Sequence, residues 1–208
     1  MRIDLHVHTK YSGHSILGIH QIVKAAKKRA LDCVAITDHD EIKGALELSK
    51  VFPTVIGEEV SADEGDVIGL FLKERIQPGP ALEVMDRIRS QGGLVMIPHP
   101  FDTLRSEALR NEELCTKADL IEVFNSRVLR NSDNDRARAF AREHEIAICV
   151  GSDAHTATEI GRCWMDLDPF DNPTQFMKSL QSAEIYTSRS PSLVHAQTKI
   201  LKVVEALK

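Results

Sequence analysis

No apolar run in this 208-residue chain approaches the roughly 20 residues that a bilayer-spanning helix needs. The start, MRIDLHVHTKYS, has no apolar signal region and runs straight into polar residues; a cytoplasmic location is expected. Cysteine is scarce: Cys33, Cys115, Cys149 and Cys163 lie far apart and form no CxxC pair. Three of them sit in or beside apolar runs, so reduced thiols are expected. Basic residues are not in excess. Lys and Arg total 26 against 31 Asp and Glu, for a net charge of −5. That balance offers no electrostatic footprint for duplex nucleic acid or an anionic membrane. Internal repeats, low-complexity segments and Pro/Gly/Ser-rich linkers are absent too. A composition 42% hydrophobic and 27% charged excludes wholesale disorder, and the length fits a single domain over residues 1–208.

Short apolar runs alternate with amphipathic stretches. Strands are expected at Arg2–Leu5, Cys33–Thr37, Thr54–Ser61, Asp66–Lys73, Leu94–Pro98, Leu120–Phe124, Ile146–Val150, Cys163–Leu167 and Glu184–Thr187. Helical spacing marks Leu17–Arg29, Glu41–Lys50, Pro80–Ser90, a short piece around Ser106–Cys115, Asn131–Glu145 and the tail Ser192–Leu207. Gly92 and Gly93 form a C-terminal stop after the third of these, and Ser132 or Asp133 is expected to cap the fifth. The alternation argues for a parallel α/β sheet with crossover helices.

Histidine is what the chain has in unusual supply, with nine, six of them at or just past a predicted strand's C-terminal end. His6 and His8 end the first strand in LHVHT, His14 follows, His39 lies in AITDHD, His99 in VMIPHP and His155 in VGSDAH. Glu59 and Asp153 occupy equivalent places. In a parallel β/α barrel all those strand ends open on one face, where active sites are built. Residues two apart point to the same side of a strand, so His6 and His8 can aim at one ion. Imidazole and carboxylate without thiolate suit Zn, Mn or Fe, and eight candidate donors suit two or three ions. His20, His144 and His195 lie in helical stretches and are assigned no function.

These residues resemble the PHP family, named for polymerase and histidinol phosphatase. Its marks appear in order as His6–Ser12, Thr37–His39, Gly57–Glu59, His99–Pro100 and Gly151–His155, a likeness spanning residues 3 to about 162. The resemblance implies a distorted seven-stranded β/α barrel holding divalent ions. His6, His8, Glu59 and Asp153 would bind the first, Glu59 and His99 the second, and His14, His39 and His155 the third. Glu59 is preferred over Glu58, which in a strand points to the other face. Members with a full three-ion site often carry a further histidine after the strand that ends here at Phe124, and Asn125–Asn131 offers none.

The implied activity is hydrolysis of a phosphate ester by a hydroxide bridging two ions. Asp153 and His155 are placed to assist the leaving group, and Asp38 to orient an imidazole rather than bind an ion. Arginine suits paired phosphate oxygens. Arg127 is the first choice, in contact with the reacting phosphate, followed by Arg130 and Arg162, with Lys10 in the first loop a further candidate. The expected partner is a small phosphorylated substrate, which could be a nucleotide or a short oligonucleotide. Two alternatives stand beside this reading: an amidohydrolase-type hydrolase, whose eight-stranded barrel needs about 250 residues, and a non-catalytic docking domain stabilised by metal.

Overall fold

The structure, a computed structural model, describes residues 1–191 and 194. The expected tail helix over Ser192–Leu207, with His195, falls outside them apart from residue 194. Nine strands make one sheet: β1 (Arg2–Val7), β2 (Cys33–Ile36), β3 (Thr54–Val60), β4 (Val67–Leu70), β5 (Leu94–Ile97), β6 (Leu120–Asn125), β7 (Ala147–Gly151), β8 (Cys163–Asp166) and β9 (Glu184–Thr187). Their order is β7-β6-β5-β4-β3-β2-β1-β8-β9. The helices are α1 (Ile19–Lys28), α2 (Lys43–Leu48), α3 (Ala81–Ser90), α4 (Glu112–Cys115), α5 (Asn131–Glu143) and α6 (Pro173–Ser179).

The sheet is almost a closed barrel. Past the end of β7, Ala154 bridges to Val7 of β1: His8 N donates to Ala154 O at 2.9 Å, and Ala154 N donates to His6 O at 3.3 Å. Strands β1 to β7 therefore follow one another around a wall that meets itself. The count of seven is corrected to nine, because β8 pairs antiparallel with the start of β1 and β9 pairs antiparallel with β8. The purely parallel expectation is corrected as well. Strand β4 runs against both β3 and β5, while the β1–β2–β3 and β5–β6–β7 pairings are parallel. Only six residues separate β3 from β4, too few for the crossover that parallel neighbours require.

Helices α1 and α2 cover one part of the wall through Ile22, Ala26, Ala45 and Leu48, against Val34 and Ile36. The larger core joins Val84, Met85 and Ile88 of α3, Phe140 of α5 and Phe176 of α6 to the remaining strands. Helix α3 ends as its glycines foretell: Gly92 sits at φ 80°, Gly92 N donates to Arg89 O and Gly93 N to Ile88 O, the pattern of a left-handed helix stop. At α5 the cap position is Arg130 rather than Ser132 or Asp133. Asp133 lies inside the first turn, where its Oδ2 accepts from Thr103 N and Oγ1, both at 2.9 Å. Helix α6 is a short element that its polar sequence did not announce. All four cysteines are free and buried, and burial pushes the thiols of Cys33, Cys115 and Cys163 up to about 12. No helix among the described residues is long and apolar enough to cross a membrane.

Candidate metal centre

With β4 reversed, six strand C-termini and one strand N-terminus meet at the same mouth. His6 and His8 come from the end of β1, Asp38 and His39 follow β2, and Glu59 lies in β3. His99 follows β5, and Asp153 and His155 follow β7. The rings pack together: His8 lies 4.4 Å from His155 and 4.8 Å from His39, centroid to centroid. His14 lies 4.7 Å from His155 and 4.9 Å from His39. His99 and Asp153 are both non-glycine residues at positive φ, 32° and 53°, a strained backbone of the kind that accumulates at functional sites.

Hydrogen bonds behind the rings decide which nitrogen faces inward. His6 Nδ1 lies 3.0 Å from Glu122 Oε1, a carboxylate that can only accept, so this nitrogen carries the proton. His8 Nδ1 lies 3.0 Å from Ser12 Oγ, whose own hydrogen goes to Asp38 Oδ1 at 2.7 Å. His155 Nδ1 donates to the carbonyl of Asp153 at 2.8 Å. Each of the three rings thus turns the Nε2 lone pair away from its anchor, as metal-binding histidines require. Asp38 also accepts from Thr9 N and Oγ1 at 2.6 and 2.7 Å, so it works on His8 through Ser12.

The donors fit a cation. His6 Nε2 lies 3.1 Å from His8 Nε2 and 3.3 Å from Glu59 Oε2. His8 Nε2 lies 3.3 Å from both Glu59 Oε2 and Asp153 Oδ1, and His6 Nε2 lies 3.8 Å from Asp153 Oδ1. Donors around a tetrahedral ion bound at about 2.0–2.2 Å stand about 3.3–3.6 Å apart. Asp153 Oδ1 and His99 Nδ1 are buried with no hydrogen-bond partner, an expense that native proteins rarely leave uncompensated. His6, Glu59 and His99 form a second set of converging donors, His8, His39 and His155 a third, and His39, Glu59 and Asp66 a fourth.

Electrostatics follow from burial and mutual proximity. Burial opposes a charge on Asp153, yet the Arg105 guanidinium and the His6 ring hold its carboxyl well below the usual range. Burial also opposes charge on His6, but the carboxylates of Glu122, Glu59 and Asp153 lift its pKa well above the ordinary value. His39, under burial, falls to about 4, and His155 falls well below its ordinary value from burial and the neighbouring His8. Asp66 rises to about 9 through burial and the charge of Glu59.

The eight expected metal donors all lie at this mouth. The expected phosphate ligands are placed differently from one another. Arg127 is buried, with Nε 3.5 Å from Glu159 Oε1. Arg130 Nη1 donates to Thr103 Oγ1 at 3.1 Å. Arg162 donates to the carbonyls of Thr158 and Arg189, and Lys10 lies over the Tyr11 ring. Glu58 turns away from the site, as strand parity requires, and its Oε2 accepts from Ile76 N at 2.7 Å.

Three site residues escaped sequence reasoning. Glu122 holds His6 by one oxygen and His99 N by the other, the latter at 2.7 Å. A carboxylate inside the apolar run LIEVF was the available signal, since a buried charge needs partners. Arg105, in the loop after β5, donates from Nη2 to Asp153 Oδ2 at 2.8 Å. Asp66 stands at the entry to β4. Gly151 lets the cluster close up: a Cβ there would lie 2.4 Å from both Glu122 Oε1 and His6 Cβ.

Fold and site together define a barrel whose mouth gathers imidazoles and carboxylates that could hold metal ions. Comparison with known proteins agrees. The PHP domain profile matches residues 4–78, and a PHP-associated profile matches residues 131–185. An uncharacterized protein of Methanocaldococcus jannaschii is 31% identical over 97% of this chain and 86% of its own length. A probable phosphatase of Thermoanaerobacter is 24% identical, over 77% of this chain and 81% of its own. Among solved structures, a two-domain Bacteroides vulgatus protein described as containing a predicted PHP-like metal-dependent phosphoesterase superposes with a TM-score of 0.74 at 14% identity. The match covers 90% of this chain but 65% of that one. The chain belongs to the PHP family.

Proposed function

We propose that this chain hydrolyses a small phosphomonoester or a nucleotide at two or three divalent ions, Zn, Mn or Fe, held by His6, His8, His14, His39, Glu59, His99, Asp153 and His155. The observation that carries this reading is the common anchoring of His6, His8 and His155 through Nδ1, which leaves Nε2 free in each and, in His6 and His8, facing the carboxylates of Glu59 and Asp153. Divalent ions bound there supply Lewis acidity toward phosphate oxygens and a nucleophile at neutral pH.

The chain's own residues do the rest. Glu122 and Ser12 fix the rings of His6 and His8, so the donors need no reorganisation when charge develops. Arg105 and Asn125 Nδ2, at 2.8 and 3.3 Å, occupy Asp153 Oδ2 and leave Oδ1 facing the histidines. Arg105 is the arginine best placed to reach a phosphate as well, because its side chain is 24% exposed whereas that of Arg127 is 5% exposed. Arg127 supports the 152–159 segment through Glu159, whose Oε2 accepts from His155 N and Thr156 N. The compact arrangement of the described residues favours small or end-exposed substrates.

The test is hydrolysis of p-nitrophenyl phosphate by chelator-treated protein resupplied with Mn or Zn. Turnover should return with metal and vanish in His8→Ala and Asp153→Ala. Turnover unchanged from wild type in both variants, after contaminating phosphatases have been removed, would refute the assignment. A panel of phosphorylated metabolites and dinucleotides then identifies the substrate class.

A further inference from the structure

We propose that Asp102 is a positioning residue for phosphate recognition: together with Asp153 it fixes the plane of the Arg105 guanidinium and leaves the Nη1 end of that group for the phosphate of the substrate. The inference rests on the phosphate-ester reading of the proposed function and deepens it, by naming the side chain that aims the arginine.

Arg105 stands between two buried carboxylates. Its Nη2 donates to Asp153 Oδ2 at 2.8 Å, and its Nε lies 3.6 Å from Asp102 Oδ2. Asp153 is 1% exposed and Asp102 4%, so water screens neither charge strongly. A guanidinium carries its five N–H donors in one rigid plane. Holding it at Nη2 and at Nε sets the orientation of that plane, and Nη1 meets no acceptor among the described residues. Such an open end suits the paired oxygens of a phosphate.

The loop between β5 and α4 is fastened around Asp102. Its Oδ1 accepts from Leu104 N at 3.0 Å, which leaves Oδ2 to Arg105. Arg110 Nη2 donates to the carbonyl of Asp102 at 2.6 Å and also to that of Arg105, so one guanidinium ties the two residues together from behind. Thr103 is bound to Asp133 in the first turn of α5. On the other side of Asp102, Phe101 is fully buried at φ 64° and packs edge-on against Phe140 of α5, with ring centroids 5.2 Å apart. A phenylalanine keeps that backbone conformation only where its surroundings enforce it. The loop therefore holds Asp102 in place, and Asp102 in turn holds Arg105.

Inorganic phosphate is the probe. Wild type, Asp102→Asn, Arg105→Ala and the double variant are saturated with Mn(II), titrated with phosphate by calorimetry and assayed with p-nitrophenyl phosphate. The asparagine keeps an oxygen for Leu104 N but then sets its NH2 against Arg105 Nε, donor against donor. Asp102→Asn should weaken phosphate about 5- to 10-fold and raise KM in step, with kcat moving by less than about twofold. Arg105→Ala should weaken phosphate about 10- to 100-fold. Adding Asp102→Asn to Arg105→Ala should cost nothing further, because the aspartate acts through the arginine. Unchanged phosphate affinity in Asp102→Asn would overturn the proposal. So would a loss that persists at full size in the Arg105→Ala background, the mark of a merely structural role, or a loss of bound Mn in Asp102→Asn, which would put the effect at Asp153. A wild type without metal-dependent hydrolysis sinks the proposed function and this inference with it; hydrolysis intact in wild type, with phosphate affinity indifferent to Asp102, sinks this inference alone.

Discussion

Glu122 grips two histidines at once, with one oxygen 3.0 Å from His6 Nδ1 and the other 2.7 Å from His99 N. Its side chain is therefore the point where β1, β5 and β6 are held in register at the mouth.

Glu122→Gln tests that grip. The amide oxygen can still accept from His6, but its NH2 then faces the His99 N–H, donor against donor. Divalent-metal affinity should fall about 10- to 100-fold, the usual consequence of losing a group that orients a ligand. Calorimetric titration with Zn or Mn measures it, and an unchanged affinity would remove Glu122 from the supporting set.

Much of the site was legible because parity and strand ends are written in the sequence. His6 and His8 share a face at a spacing of two, and the same rule separates Glu59, among the histidines, from Glu58, bonded to Ile76. Strand direction was not legible in that way. The expectation that functional groups follow strands found His99 and Asp153 but passed over Asp66, which precedes a reversed one. Arg105 lay in a loop without a pattern, and its partner Asp153 is 48 residues away. Barrel closure was hidden for a similar reason, since it depends on contacts between the two ends of the 1–154 segment.

Protons should compete with metal. In the metal-free site neighbouring carboxylates raise His6 and His8 above their ordinary pKa despite burial, so both rings hold protons that a cation must displace. Affinity should rise with pH across the neutral range, and titrations in buffers of different ionisation enthalpy should reveal proton release. Binding independent of pH would contradict the ligand role of this pair.

Arg127→Ala should act on stability more than on phosphate recognition. Removing the guanidinium leaves Glu159 buried beside the 155–156 backbone without its counter-charge, a loss of about 3–5 kcal/mol. Chemical denaturation reports it, and substrate KM should change less than in Arg105→Ala. The reverse ranking would restore Arg127 as the main phosphate ligand.

Glu58 gives a stability change of predictable sign. Burial pushes its carboxyl up to about 7 from 4.5, so the folded chain holds the proton more tightly than the unfolded one. The stabilisation is complete below about pH 4.5 and fades as pH rises through 7. Wild type should therefore lose roughly 1–3 kcal/mol between pH 5 and 8, a decline that Glu58→Gln does not share while its amide oxygen still accepts from Ile76 N. Parallel pH profiles for the two proteins would show that Glu58 is already ionised in the fold.

The joint that shuts the barrel is made by main-chain atoms of His6, His8 and Ala154, the same short stretches that carry the ion-binding side chains. Ions bound by those side chains should therefore reinforce the joint as well. A chelated protein should gape along this one edge before anything else loosens, offering residues 152–158 to a protease while the far wall around β4 stays shut.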